Sequence, residues 1–320
     1  MLSNKFRKKT IRKQLKFFYM ESQTITDAVA NNEHLTNLQL DLLNKHGLAW
    51  GVIEEPLFSK SGLPTNNIGL FRTDNNAHLG THTSRYLPCQ NGELAKLLVY
   101  ACSPIKDLDL KGSRGGEFFG GRKIFFQIPL PDTTIGKTSV KRFLTALNSF
   151  DGSTAVALGT CQTVVVCQNT FWKAYRNTNV AKVGHYSTMK AKLESLTEQI
   201  FHTIEKDAEQ VEIFNRLSEL DIYDTDITAL KHKIFSVEDE FNIGTRKQNR
   251  IAKFDLDLEL EFAEQGRNAW GLFNGVTRYT NHSIKENQSF NGKMANVICG
   301  TGAKINAIAY EHLTKRFNLQ

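Results

Sequence analysis

The sequence predicts an α+β fold: a strand-rich N-terminal part carrying an antiparallel or mixed sheet, followed by a helical C-terminal part. Three observations predict it. Residues 48–167 break into short β-branched and aromatic runs separated by Gly, Asn, Asp and Pro. From Ser187 onward apolar residues recur at helical spacing. A chain of 320 residues, 40% hydrophobic and 23% charged, is long and apolar enough to bury a sizeable core as one or two domains.

The elements follow in order. Residues 1–19 carry seven basic residues and no acid, and read as a basic arm without regular structure. Ser22 or Thr24 is placed to cap a short helix. Leu35, Leu38 and Leu42 give a helix over residues 36–46 that stops at Gly47. "LAWGVI" is a strand, and "NIGLFRTDNNAHLGTHT" is a hairpin turned by Asp74-Asn75-Asn76. "QNGELAKLLVYAC" is helical. "GGEFFGGRKIFFQIPL" is a second hairpin, turned at Gly120-Gly121 and closed by Pro129 and Pro131. Two more strands, "SVKRFLTALNSF" and "STAVALGTCQTVVVC", turn at Asp151-Gly152. The second strand runs into Gln168-Asn169-Thr170, where Asn169 or Thr170 is expected to cap a helix bearing Phe171, Trp172 and Tyr175. Met189, Leu193, Leu196, Ile200, Ile204, Ala208 and Val211 predict a long helix to about Leu220. Ile251, Phe254, Leu258 and Phe262 predict another over 245–265, ended by Gly266, with two more over 268–284 and 303–317. The expected organisation is the arm 1–19, an α+β core over 20–186, and a helical part over 187–320 packed on it.

The charge is uneven. The net +7 equals the seven bases of the arm, since 33 bases and 33 acids remain. Within the body, residues 193–264 hold 18 acids against 8 bases. Such polarity suits a polyanion on one side or, equally, a solvated helical face. No run of about 18 apolar residues occurs, so no membrane span is expected. The basic start is followed by no apolar stretch of secretory type. Five irregularly spaced cysteines make neither a disulfide framework nor a zinc pair, which fits a reducing cytoplasm. No metal site and no cofactor is expected. His78 and His82 have the i, i+4 spacing of a zinc pair, but their segment reads as a strand.

Two groups of residues carry candidate chemistry. "KGSRGGEFFGGRK" sets Arg114, Arg122 and Lys123 beside Phe118 and Phe119 in a glycine-rich frame. Alternation turns one of two adjacent phenylalanines outward. An exposed aromatic beside cations suits single-stranded nucleic acid, in which phosphates need neutralising and bases stack. The alternative is a plain hairpin with core-facing rings. Lys173 and Arg176 add cations near the expected capped helix, where free N–H groups would hold a phosphate or merely be capped. A second group, Asn148, Asp151, Gln168, Asn169, Tyr279 and His282, would line a polar pocket for acid–base work if the fold gathers them. "CGTGAK" lacks the spacing of a phosphate loop and reads as a glycine break before the last helix. Paired carboxylates occur only in the acidic helical region, where solvation is their expected role.

Four blocks read together resemble a known family: "LGTHTSRYLPCQN", "NSFDGSTAVALGTCQTVVVCQNTFWKA", "NAWGLFNGVTRYTNH" and "GTGAKINAIAYEHL". They look like the phage/plasmid-like protein family, domain of unknown function 932. The resemblance spans roughly residues 48–317 and leaves the arm outside. It implies a cytoplasmic protein of phages, plasmids or integrated elements, whose genes often accompany replication and recombination genes. That family carries no established catalytic residues, so no residue role transfers.

The leading expectation is a non-enzymatic DNA-handling protein that binds or anneals single strands. The arm (Lys8, Lys9, Arg12, Lys13), the glycine-rich hairpin (Arg114, Phe119, Arg122, Lys123) and Lys173 or Arg176 would make the contacts, and a homo-oligomer is expected. Two alternatives stand beside it: an enzyme built on the polar pocket, and a host-interaction or anti-defence protein using the acidic helical region.

Overall fold

The computed structural model describes residues 25–102, 110–164, 170–172, 181–189, 191–193, 209–237, 244–284 and 288–319. The predicted basic arm, the cap at Ser22 or Thr24, Gln168, Asn169, Lys173, Arg176 and most of the helix expected over 187–220 lie outside these residues. The fold is α+β, as the sequence predicts. Two compact units are present. The first comprises Met1–Pro129, Ala146–Val156 and Val183–Glu198, and the second Leu130–Thr145, Ala157–Lys182 and Gln199–Gln320.

In the first unit, helix α1 (Ile25–Lys45) precedes strands β1 (Val52–Phe58), β2 (Pro64–Arg72) and β3 (His78–Thr83), which form a three-stranded antiparallel sheet in the order β1-β2-β3. The β2–β3 turn is the expected one, and Asn76 takes its left-handed position at φ 56°. The β1–β2 pairing is longer than "LAWGVI" suggests, because it starts at Val52 and runs to Phe58. Helix α2 (Asn91–Cys102) follows. Its entrance is fixed by side chains standing in for backbone. Gln90 accepts from Val52 N and donates to Val52 O, both at 2.9 Å, as a neighbouring strand would. Asn91 donates to Leu48 O at 3.1 Å and Trp50 O at 2.9 Å.

A six-stranded sheet follows, in the order β4 (Arg114–Phe118), β5 (Lys123–Ile135), β6 (Thr138–Ser149), β7 (Val156–Val164), β8 (Thr170–Trp172), with β9 (Ala181–Val183) also against β7. Thr170–Trp172 thus corrects an expectation. It is not the start of a capped helix but a strand antiparallel to β7, with Cys161 opposite Trp172. The edge of β7 offers hydrogen bonds that outweigh a local capping preference.

The second unit's helices are α3 (Asp224–Phe235), α4 (Thr245–Gln265), α5 (Ala269–Arg278), α6 (Phe290–Cys299) and α7 (Thr301–Arg316), with a π-helical turn at Tyr279–Ser283. Residues 209–218 are also helical. Helix α4 ends at Gly266, φ 87°, where the sequence places its stop. Phe214, Phe254, Leu258, Trp270, Phe273 and Leu313 lie in this unit's core with the β5–β6 residues Ile135 and Val140. The polar residues of "NAWGLFNGVTRYTNH" mostly serve backbone. Asn268 caps α5 by accepting from Gly271 N at 2.8 Å, and Asn281 donates to Thr277 O at 2.6 Å. A β-carbon on Gly271 would lie 2.2 Å from Gly266 O, which explains the glycine.

One contact in the first unit makes stability depend on pH. His46 Nε2 lies 3.0 Å from Ser113 Oγ, and the neighbouring Lys45 ammonium donates to Leu110 O and Lys111 O at 2.6 and 2.8 Å. Burial, and then the Lys45 charge, lower the His46 pKa from 6.5 to about 4. The folded state therefore keeps His46 neutral where the unfolded chain would protonate it. Its contribution is complete above pH 6.5 and is lost as pH falls toward 4. Urea unfolding at pH 7 and pH 5 should show a larger acid-induced loss for wild type than for His46→Gln; equal losses would contradict this.

Candidate nucleic-acid interface

The β4–β5 turn is built from Phe119, Gly120, Gly121 and Arg122, and all of the first three are left-handed, with φ of 55°, 67° and 88°. Glycine meets that requirement without strain, but for an L-residue it costs about 1–2 kcal/mol. Phe119 bears this strain while its ring stays 63% exposed, whereas Phe118 is 3% exposed. The Lys123 ammonium lies 5.6 Å from the Phe119 ring centroid. Arg122 is exposed beside it. An exposed aromatic beside cations is what a stacking surface requires, and strain held with so little burial in return points to a role outside the fold.

Arg72 supports this turn. A β-carbon on Gly121 would come 2.9 Å from Arg72 Nη1, so glycine lets the turn lie directly on the guanidinium. Arg72 is 8% exposed. It donates to Asp74 from Nε at 2.9 Å and from Nη2 at 2.8 Å, and to Glu117 from Nη1 at 2.6 Å. Its guanidinium lies 4.1 Å from the Trp50 ring centroid. Hydrogen bonding from Arg72 holds the Asp74 carboxyl below its usual range, and Asp74 in turn raises the guanidinium's pKa.

The β6–β7 turn adjoins it. Phe150 N donates to Arg122 O at 2.7 Å. Phe150 O accepts from His82 Nε2 at 2.7 Å, and since a carbonyl only accepts, that nitrogen carries the proton. His82, Tyr86 and His185 form a stack, with centroids 3.8 Å apart for the first pair and 4.6 Å for the second. Tyr86 donates its hydroxyl to Ser149 O at 2.8 Å, and His185 Nδ1 donates to Leu87 O at 3.1 Å. Burial, and secondarily the Asp151 charge, push the Tyr86 phenol up, so it remains a donor. Burial lowers the His185 pKa, which favours the neutral ring. Through Ser149 O and Phe150 O the stack holds the turn that meets Arg122, while the Leu87 O contact holds His185 in the stack.

The sequence-derived residues divide accordingly. Phe119 and Arg122 stand together at the turn. Lys123 is corrected: it is 8% exposed rather than a surface cation, because it pairs across the ladder with Phe118 and shares its inward face. Arg114 is half-buried and opposite Gln127, four ladder steps or roughly 13 Å from the turn, so the three cations do not form one cluster. Asn148 is corrected from pocket member to structural residue. It is fully buried and donates to Cys89 O at 2.8 Å. Asp151 shapes its own turn by accepting from Ser153 N at 2.9 Å and from the Ser153 hydroxyl.

Tyr279 and His282 belong to the second unit, whereas Asn148 and Asp151 belong to the first. Tyr279 is 2% exposed, its ring 5.7 Å from those of both Phe235 and Phe254, and its hydroxyl accepts from Arg250 Nε at 3.3 Å. His282 is half-buried beside Asp257. Asp257 accepts from Ser283 Oγ at 2.5 Å and pairs with Arg278, which also reaches Glu261 at 3.3 Å. Asp257 and Glu261 are 6% and 0% exposed, so the expectation of solvated carboxylates fails for this pair. Their positions, four residues apart among Phe254, Leu258 and Phe262 on the apolar face of α4, were the legible signal. Burial raises the Asp257 pKa against the opposing pull of Ser283 and Arg278.

Burial raises the Cys102 thiol to about 12, which removes it as a nucleophile. No group of three or more metal-ligating side chains occurs among the described residues. No helix among them is long and apolar enough to cross a membrane. A family model described as a domain of unknown function, DUF932, matches residues 78–298. No curated protein and no solved structure matches the chain.

Proposed function

The chain belongs to the DUF932 family, a domain of unknown function, and from that premise we propose that it is a non-enzymatic DNA-handling protein that binds or anneals single strands. Its setting in this reading is the bacterial cytoplasm, in the replication or recombination of phages, plasmids or integrated elements. The observation that carries the reading is Phe119, 63% exposed in a left-handed backbone beside the exposed Arg122. A ring presented in this way stacks on any base and so gives sequence-tolerant affinity. Arg122 supplies a phosphate contact, and the arm residues Lys8, Lys9, Arg12 and Lys13 add nonspecific ones.

A salt titration of fluorescent single-stranded DNA tests this reading. The full chain and a chain starting at Met20 should both bind, with log affinity falling linearly in log salt. Arg122→Ala should reduce the slope by about 0.7, the value for one phosphate contact on a single strand. Binding by the full chain alone would assign all affinity to the arm and contradict a role for the turn.

A further inference from the structure

We propose that α4 is a self-association surface, on which a second copy of this chain docks its own α4 antiparallel. The helix is amphipathic in an unusual sense. Its inward face holds Phe254, Leu258 and Phe262, with the buried acids Asp257 and Glu261 among them. Its outward face carries Leu256 at 64% and Leu260 at 43% exposure, flanked along the same stripe by the exposed Ala252 and Ala263. At 21 residues the helix is about 31 Å long, and this stripe, from Ala252 to Ala263, runs through its middle toward its C-terminal end.

The order of charges identifies the partner. Arg246, Lys247, Arg250 and Lys253 occupy the N-terminal half, and Asp255, Glu259 and Glu264 the C-terminal half. The first turn holds no acid and the last no base. This opposes the helix dipole, which favours acids at the N-terminus and bases at the C-terminus. Intramolecular contacts answer part of it: Lys247 donates to Ser236 O at 3.1 Å, Arg250 to the Tyr279 hydroxyl at 3.3 Å, and Lys231 pairs with Asp255 at 2.5 Å. Arg246, Glu259 and Glu264 remain on the exposed surface. An antiparallel second copy related by a twofold axis near Leu256, with Leu260 of each copy against Ala252 of the other, brings the acidic half of each helix beside the basic half of the other. Arg246 of each copy then faces Glu264 of the other. A twofold axis makes both ends equivalent, so one surface serves both copies.

Sedimentation velocity on the full chain over a concentration series tests this. The proposal expects a monomer–dimer equilibrium with a dimer of twice 36.2 kDa. Leu256→Glu and Leu260→Glu should each raise the dissociation constant about tenfold or more, with an unchanged thermal midpoint at concentrations where wild type is monomeric, since both side chains are then in water. Arg246→Glu and Glu264→Arg should each weaken the dimer, and the two combined should restore it. A monomer at every concentration, or a dimer indifferent to both leucine variants, would overturn the proposal.

Discussion

Gly80→Ala is expected to destabilise the protein by about 3 kcal/mol. A β-carbon at Gly80 would sit 2.3 Å from Phe150 O, 2.8 Å from His82 Nε2 and 3.0 Å from the Asp151 α-carbon. None of these can yield cheaply. Phe150 O is held by His82, and Phe150 N is tied to Arg122 O at 2.7 Å. Relief would have to come from separating β3 from the β6–β7 turn, which breaks the His82 hydrogen bond and disturbs the ring stack. Equilibrium urea unfolding measures the loss. A variant as stable as wild type would mean that this close approach does not hold the turn.

Arg72→Met is expected to cost about 2 kcal/mol, roughly the value for removing a charged hydrogen-bond partner. The methionine fills similar space but leaves Glu117 and Asp74 without the guanidinium and removes the cation over Trp50. Arg72→Lys separates charge from geometry. An ammonium keeps the charge but cannot make the forked contacts to Asp74 and Glu117 together. It should therefore fall between wild type and Arg72→Met in urea unfolding. A lysine variant equal to wild type would show that charge alone suffices. On the proposed reading, loss of Arg72 should also weaken single-strand binding, because the turn bearing Phe119 lies on its guanidinium.

Local signals made much of the fold legible. Asn76 and Gly266 stand where the chain must turn left-handed, and the apolar spacing of Ile251, Phe254, Leu258 and Phe262 marks the buried stripe of α4. Non-local pairing hid the rest. Thr170 resembles a helix cap until β7 offers it a strand partner. Helix α3 has no legible start in the sequence because its entrance relies on Asp226, which accepts from Tyr223 N at 3.0 Å and from Arg316 at 2.8 Å, within a segment that reads as merely acidic. The site divides in the same way. One phenylalanine does face outward, but the left-handed turn rather than strand alternation exposes Phe119, and burial of Lys123 depends on its register opposite Phe118. Arg72 collects Glu117 from a strand 45 residues away, and the stack gathers His185 from far beyond Tyr86. Such contacts have no signature in spacing.

Phe119→Gly in the single-strand titration separates stacking from stability. Glycine suits φ 55° better than phenylalanine does, so the thermal midpoint should hold or rise, and weaker binding could not be attributed to unfolding. With one base losing its stacking platform, affinity for single-stranded DNA should fall about tenfold, within the roughly 1–3 kcal/mol that such contacts provide, while the salt slope stays unchanged. A variant that binds as tightly as wild type at every salt concentration would contradict the account, and the exposed ring would then need another explanation.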